Sequence, residues 1–168
     1  NGNLKKYLLD IIKEGKDDDK LMASQYLIEM QEIEGLKYFT NKVKEDNEFK
    51  LRWFRDRNAF KALITKDAIP YLLEMLELTY HKEFKQMEYD RLELKLFDAL
   101  SNIALQSEEQ HQLVKVELEK FIEEKGHISD NVRFISSFLD RVERTFYFNK
   151  SQNVTLEDAI EKLKLLNI

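Results

Sequence analysis

Residues 67–80 read DAIPYLLEMLELTY, Asp67 to Tyr80, and nine of these fourteen residues are apolar. At helical spacing they form two adjoining stripes. Ile69, Leu72, Leu73, Leu76 and Tyr80 make one, and Ala68, Tyr71, Met75 and Leu78 make the other. Only Glu74 and Glu77 give the segment a wet edge. A helix apolar over most of its circumference must be covered on several sides, so the stretch is expected to be the central post of an all-α domain. Asp67 is expected as its N-cap, with Pro70 in the first turn, where the missing N–H does no harm.

Working outward toward the N-terminus, residues 49–64 place Phe49, Trp53, Phe60, Leu63 and Ile64 on one helical face, with Asp56 in the middle of it. Either Asp56 is buried and paired with Arg52 or Arg57, or it caps a fresh helix that starts at Arg57. Earlier still, Leu4, Tyr7, Leu8, Ile11 and Ile12 form a first stripe, stopped by Gly15 and the polar run Lys16 to Lys20. One of Asp17, Asp18 and Asp19 is expected to cap a second helix over about Lys20 to Gln31. Gly35 is expected to separate that helix from a third carrying Leu36, Phe39 and Val43.

Toward the C-terminus, Leu92, Leu96, Ala99 and Ile103 form one stripe of a long helix, and Phe97, Leu100 and Ala104 a second. Ser107 with Gln110 has capping-box spacing for the next helix, which carries Val114, Leu118, Phe121 and Ile122 and ends at Gly126. Asp130 is expected to cap a helix with the stripe Val132, Ile135, Phe138, Leu139, Val142 and Phe146. The run TFYF, Thr145 to Phe148, belongs to its end, because an isolated strand has nothing to pair with. Thr155 and Asp158 open a last helix with Leu156, Ala159, Ile160, Leu163 and Leu166. The count is about nine helices with short joints. The two doubly striped helices favour a stacked solenoid of helix pairs over a closed bundle.

Composition agrees with helices and narrows the chemistry. The 168 residues suit one domain, residues 1–168; 35% are charged and 43% apolar, with four glycines and one proline, too little turn chemistry for a sheet-rich fold. With no cysteine there is no disulfide, thiolate zinc site or cysteine nucleophile, which fits a reducing, cytoplasmic setting. No apolar run approaches the roughly 20 residues of a membrane span. The opening Asn1-Gly2, in place of Met, fits a fragment of a longer protein. Net charge is −5, yet residues 49–66 alone carry +5, which leaves −10 for the remainder.

One stretch resembles a known family. AIPYLLEML at Ala68 to Leu76 resembles the helix opening of an armadillo repeat, and ALSNIA at Ala99 to Ala104 resembles its following helix, so that the likeness spans Lys66 to Leu105. MASQYLIEMQEIEGLKYFTNKV, Met22 to Val43, is similar to the related HEAT helix pair. The sequence departs from the pattern in having Asp67 where a glycine usually stands, a long joint over Thr79 to Tyr89, and no second Ala-Ile-Pro after Ser107. The resemblance implies an armadillo/HEAT-like right-handed α-α superhelix. It also implies that Asn102, which matches the asparagine that holds an extended ligand's backbone in peptide-binding members, is a partner-binding residue. Asp98 stands at the matching tryptophan position, so the aromatic half of such a clamp is missing.

The candidate sites are few. KLRWFRDR, Lys50 to Arg57, combines long cations with two aromatic rings, as a surface that tracks phosphates or an acidic partner requires. Arg52, Arg55, Arg57 and Lys61 are therefore expected to bind a partner; the plainer alternative is that they are solvated or paired surface charges. Glu108 with His111 and Glu124 with His127 have a Glu-x-x-His spacing used by di-iron bundles, but their positions at helix ends favour ordinary surface polar residues. Phe134 and Phe148 fall off the main stripe of their helix and are expected either to pack on a neighbouring repeat or to mark an interface. No Gly-rich phosphate loop and no Ser-His-Asp grouping is present. The expectation is a non-enzymatic module without cofactor that binds another protein or another region of its own full-length chain. Two alternatives are a nucleic-acid-binding or polyanion-binding helical repeat, and a regulatory tail of a larger nucleoside-triphosphatase-type protein.

Overall fold

The computed structural model describes residues 2–45, 59–81, 86–128, 132, 134–152 and 156–166. Among them are eight α-helices and no strand: α1 (Gly2–Glu14), α2 (Asp17–Glu29), α3 (Ile33–Glu45), α4 (Ile69–Tyr80), α5 (Gln86–Ala104), α6 (Glu108–Lys125), α7 (Phe134–Gln152) and α8 (Leu156–Leu166). Short 3-10 turns occupy Ala59–Ala62 and Lys66–Ala68. The all-α expectation is met. Asp56, with the two readings of its role, and the proposed caps Asp130 and Thr155 lie outside the described residues.

The central post is α4. Ile69, Leu72, Met75, Leu76, Thr79 and Tyr80 are buried, and Pro70 is its only exposed residue. It packs against α3, α5 and α6, so its two apolar stripes have neighbours on different sides, as its composition requires. The main core gathers around it. Phe39 meets Phe60 edge-on with ring centroids 5.4 Å apart, Phe97 stacks on Phe138 at 4.4 Å, and the Tyr80 hydroxyl donates to Glu93 Oε1 at 2.7 Å. A smaller cluster of Leu8, Ala23 and Leu27 joins α1 to α2.

Packing follows chain order. α1 lies on α2, α2 on α3, α3 on α4, α4 on α5 and α6, α5 on α6 and α7, and α6 on α7. Among the described residues α8 makes no comparably broad contact with another element. Among the described residues no helix is long and apolar enough to cross a membrane.

Several helix ends differ from expectation, each for a local reason. α2 begins at Asp17, so the three aspartates occupy its first turn, where they complement the helix dipole instead of capping. Lys16 stands at the cap position and gives no side-chain hydrogen bond. Gly35 does not separate α2 from α3. It lies inside α3, where a Cβ would sit 2.5 Å from the Ser24 carbonyl oxygen and 2.6 Å from Leu27 Cβ, so its bareness lets the two helices approach.

The break comes earlier, at Gln31. Glu32 N–H donates to Leu27 O at 2.8 Å and Gln31 N–H to Ile28 O at 3.0 Å, the paired bonds of a Schellman ending. Gln31 takes the left-handed position at φ 65°, where glycine or asparagine is usual. At the start of α4, Thr65 replaces Asp67 as the capping side chain. Its Oγ1 accepts from Asp67 N–H at 3.4 Å, and the Lys66–Ala68 turn then leads into the helix. Ser107 caps α6 as expected, accepting from Gln110 N–H at 3.1 Å. TFYF is helical, within α7.

Candidate functional site

The expected helix over residues 49–64 is not α-helical where it is described. After the turn at Ala59–Ala62 the chain leaves helical geometry before Thr65, and this makes a short strap between α3 and α4. Phe60 and Leu63 anchor it in the core, whereas Ile64, expected on the same apolar face, is 45% exposed. Outside a helix the strap's backbone groups need other partners, because unpaired buried amides and carbonyls are costly.

Three side-chain amides supply them. Gln31, from the α2–α3 turn, donates its Nε2–H to Ala62 O, and its Oε1 accepts from Ile64 N–H at 2.9 Å. Asn102, near the end of α5, donates Nδ2–H to Lys61 O at 3.0 Å. Gln110, in the first turn of α6, donates Nε2–H to Ile64 O at 2.8 Å and to Ile103 O at 3.3 Å. Gln106 in turn donates to Asn102 O at 3.1 Å. Elements far apart in sequence therefore converge on four backbone groups of one segment.

This cluster unites two of the residues singled out from sequence. Asn102 holds backbone, as the armadillo likeness implies, but the backbone belongs to the chain's own Lys61. The Lys61 side chain is exposed, and neighbouring Lys66 pairs with Glu109 at 2.9 Å. Arg52, Arg55 and Arg57 lie outside the described residues. Asp98, at the position matching the family's tryptophan, is exposed. Gln31 and Gln110 were not anticipated. Gln110 is legible in the sequence only as a capping-box partner, and nothing in the sequence marks Gln31 as left-handed.

The two Glu-x-x-His pairs separate. His127 and Glu124 are exposed, whereas His111 is 3% exposed, which corrects its reading as a surface residue. His111 faces inward because α6 turns it onto α7, where its ring stacks on Phe146 at 4.4 Å and meets Tyr147 edge-on at 6.2 Å. Glu108 turns elsewhere and pairs with Lys150 at 2.9 Å. Neither ring nitrogen of His111 has a hydrogen-bond partner. Burial pushes its pKa below the ordinary histidine value; Glu143 acts in the opposite sense, and nearby Lys115 reinforces the shift.

His111 lines a cleft of about 230 Å³ between α6 and α7. Beside it Lys115 Nζ donates to Glu143 Oε1 at 3.1 Å, a bond that raises the lysine's pKa. Among the described residues no three of His, Cys, Asp and Glu come together as metal ligands would.

Exposed apolar side chains occur along the chain, Met22, Tyr26, Leu94 and Val116 among them, and are most numerous on α7 and α8. Leu4 and Tyr7 on α1 are 50% and 63% exposed; Phe148 on α7 and Leu163 and Leu165 on α8 are 62%, 58% and 69% exposed. Phe134 is also exposed. No family model, curated protein or solved structure matches the chain.

Proposed function

We propose that the chain is a non-enzymatic, armadillo/HEAT-like helical segment, built as a right-handed superhelix, that binds another protein or another region of its own chain inside the cell. The observation that carries this reading is the concentration of exposed apolar side chains on the last two helices. Tyr147, Phe148, Leu163 and Leu165 are open to solvent, and among the described residues α8 has no broad packing partner. Large apolar groups grouped on one part of a surface favour a macromolecular interface. Chain-order packing supports a stack of helices, since a closed bundle would bring its first and last helices together.

Within this reading the amide-held strap fixes the root of the basic stretch. Asn102, Gln31 and Gln110 hold Lys61 to Ile64, and the stretch that holds Arg52, Arg55 and Arg57 runs into that segment. Those cations and Lys61 would select an acidic partner surface and speed encounter with it.

Affinity capture with quantitative mass spectrometry tests the reading by comparing the native chain with a Phe148→Asp, Leu163→Asp variant. A specific protein retained by the native chain and lost by the folded variant is the expected result. Identical captured sets would overturn it. Saturable oligonucleotide binding that weakens steeply with salt and is lost on changing Arg52, Arg55 and Arg57 to alanine would replace it with the polyanion reading.

A further inference from the structure

The C-terminal end of α7 is attached to the molecule differently from the rest of that helix. Val142 is the last residue of α7 in the main core. Phe146, one turn on, is the last buried one, and the six residues after it, Tyr147 to Gln152, are all exposed. Phe146 lays its ring on His111 of α6, stacked at 4.4 Å and 15° from parallel, and Tyr147 meets the same imidazole edge-on. Further along, Lys150 pairs with Glu108 at 2.9 Å, but both side chains are more than half exposed, so the pair contributes little.

The contact that holds this end therefore runs through a titratable ring. His111 is 3% exposed and neither of its nitrogens has a partner, so its surroundings accept the neutral imidazole and penalise the imidazolium. The charges that act on it are Glu108 and Lys115 from α6 and Glu143 from α7; α5, which packs on both helices, adds none among its described residues. Glu119 and Asp140 line the same cleft beyond the Lys115–Glu143 pair. Both nearby carboxylates are already committed across the seam, Glu143 to Lys115 at 3.1 Å and Glu108 to Lys150. Burial dominates the balance and lowers the pKa.

We propose that protonation of His111 releases the end of α7, from Phe146 onward, from α6 while the rest of the fold stays intact. In the released form the imidazole is in water and titrates near its ordinary value of about 6.5. As pH falls below that value the released form takes up the proton first and gains population. Freed of its contact, the end of the helix keeps only its weak intrinsic propensity, so it frays and its amides open to exchange. Release bares Phe146 beside Tyr147 and Phe148 and so alters the surface used in the protein-binding reading. Only that consequence rests on the reading; the release itself does not.

Native-state hydrogen exchange by NMR, in dilute urea at pH 7.5 and pH 5, tests the release, with Leu72 to Leu76 of α4 as the reference. Once intrinsic rates are allowed for, protection of Phe146 to Lys150 is expected to fall about fivefold or more between the two pH values. That exchange should be indifferent to urea, as local opening is, whereas the α4 amides exchange through urea-sensitive unfolding. His111→Phe, which keeps a ring against Phe146 but has no proton to gain, is expected to show no fall. A His111 pKa of 6.5 or above, titrated by NMR in the native chain, would overturn the proposal, because Glu143 would then be accepting the imidazolium in place. So would protection of Phe146 to Lys150 that is unchanged between the two pH values, that falls with the urea dependence of α4, or that falls equally in His111→Phe. The native chain alone decides the matter if His111→Phe does not fold.

Discussion

α4 and the strap that precedes it are neighbours in sequence and share one core, yet they are held in place by different physics. α4 satisfies its own backbone and is placed by apolar burial on three sides. The strap, Ala59 to Thr65, buries Phe60 and Leu63 but has only the short 3-10 turn at Ala59–Ala62 to pair its own backbone, so the rest of its path is set by Gln31, Asn102 and Gln110. Apolar packing tolerates substitutions of similar size and shape, whereas a backbone bond to a distant amide depends on one atom's position. The helix is therefore specified by a pattern and the strap by individual residues.

The largest expected effect falls on the helix. Leu72 is fully buried, and Leu72→Ala should cost about 2–5 kcal/mol in urea-unfolding free energy, through lost burial and the cavity left behind. Leu72→Met should cost less than about 1.5 kcal/mol, as volume-conserving exchanges do. If the two variants were equally harmful, packing would not be what places α4.

Gln31 sharpens the other side of the comparison. Gln31→Ala removes both of its bonds to the strap and keeps a left-handed residue, for an expected loss of about 1–3 kcal/mol. Gln31→Gly removes the same bonds and relieves the backbone, so it should be about 1 kcal/mol more stable than the alanine variant. A glycine variant as stable as the native protein would mean that the amide contributes nothing.

His111 directly follows Gln110, so α6 contributes to the strap and to the α7 contact through adjacent residues. Its pKa in the folded state is lowered, chiefly by burial, with Glu143 and Glu108 opposing the shift and Lys115 reinforcing it. As pH falls below about 6.5 the unfolded chain takes up a proton before the folded one does, and stability is lost at up to about 1.4 kcal/mol per pH unit from this group. The loss ends once pH passes below the folded pKa. Urea unfolding from pH 8 to pH 5 should show this fall in the native protein and a smaller one in His111→Phe. The smallest change is expected for Asn102→Ala, about 0.5–1.5 kcal/mol, because it leaves one carbonyl, Lys61 O, without its partner.

How far the sequence could be read follows the same division. The two stripes of α4, those of α5, the Ser107 cap and the helical end of α7 are legible because burial and capping have a period or a spacing. The strap is not. Phe60, Leu63 and Ile64 fit a helical face on paper, and only the positions of Gln31 and Gln110 in space take Ile64 out of it. The α2–α3 break is misplaced for a related reason: Gly35 looks like punctuation, but its role is close helix approach, and the left-handed residue is a glutamine. His111 shows the same blindness, because its burial depends on Phe146, which reaches it from another helix.

Amide hydrogen exchange at Ile64, followed by NMR, tests most directly whether the strap is held by side-chain amides. Ile64 is 45% exposed and lies outside any helix, and its N–H donates to Gln31 Oε1 at 2.9 Å. Ile64 is expected to be protected in the native protein and to exchange at least tenfold faster in Gln31→Ala, with the amides of Leu72 to Leu76 in α4 unchanged. Free exchange at Ile64 in the native protein, or equal protection in the variant, would contradict the claim that Gln31 holds the strap.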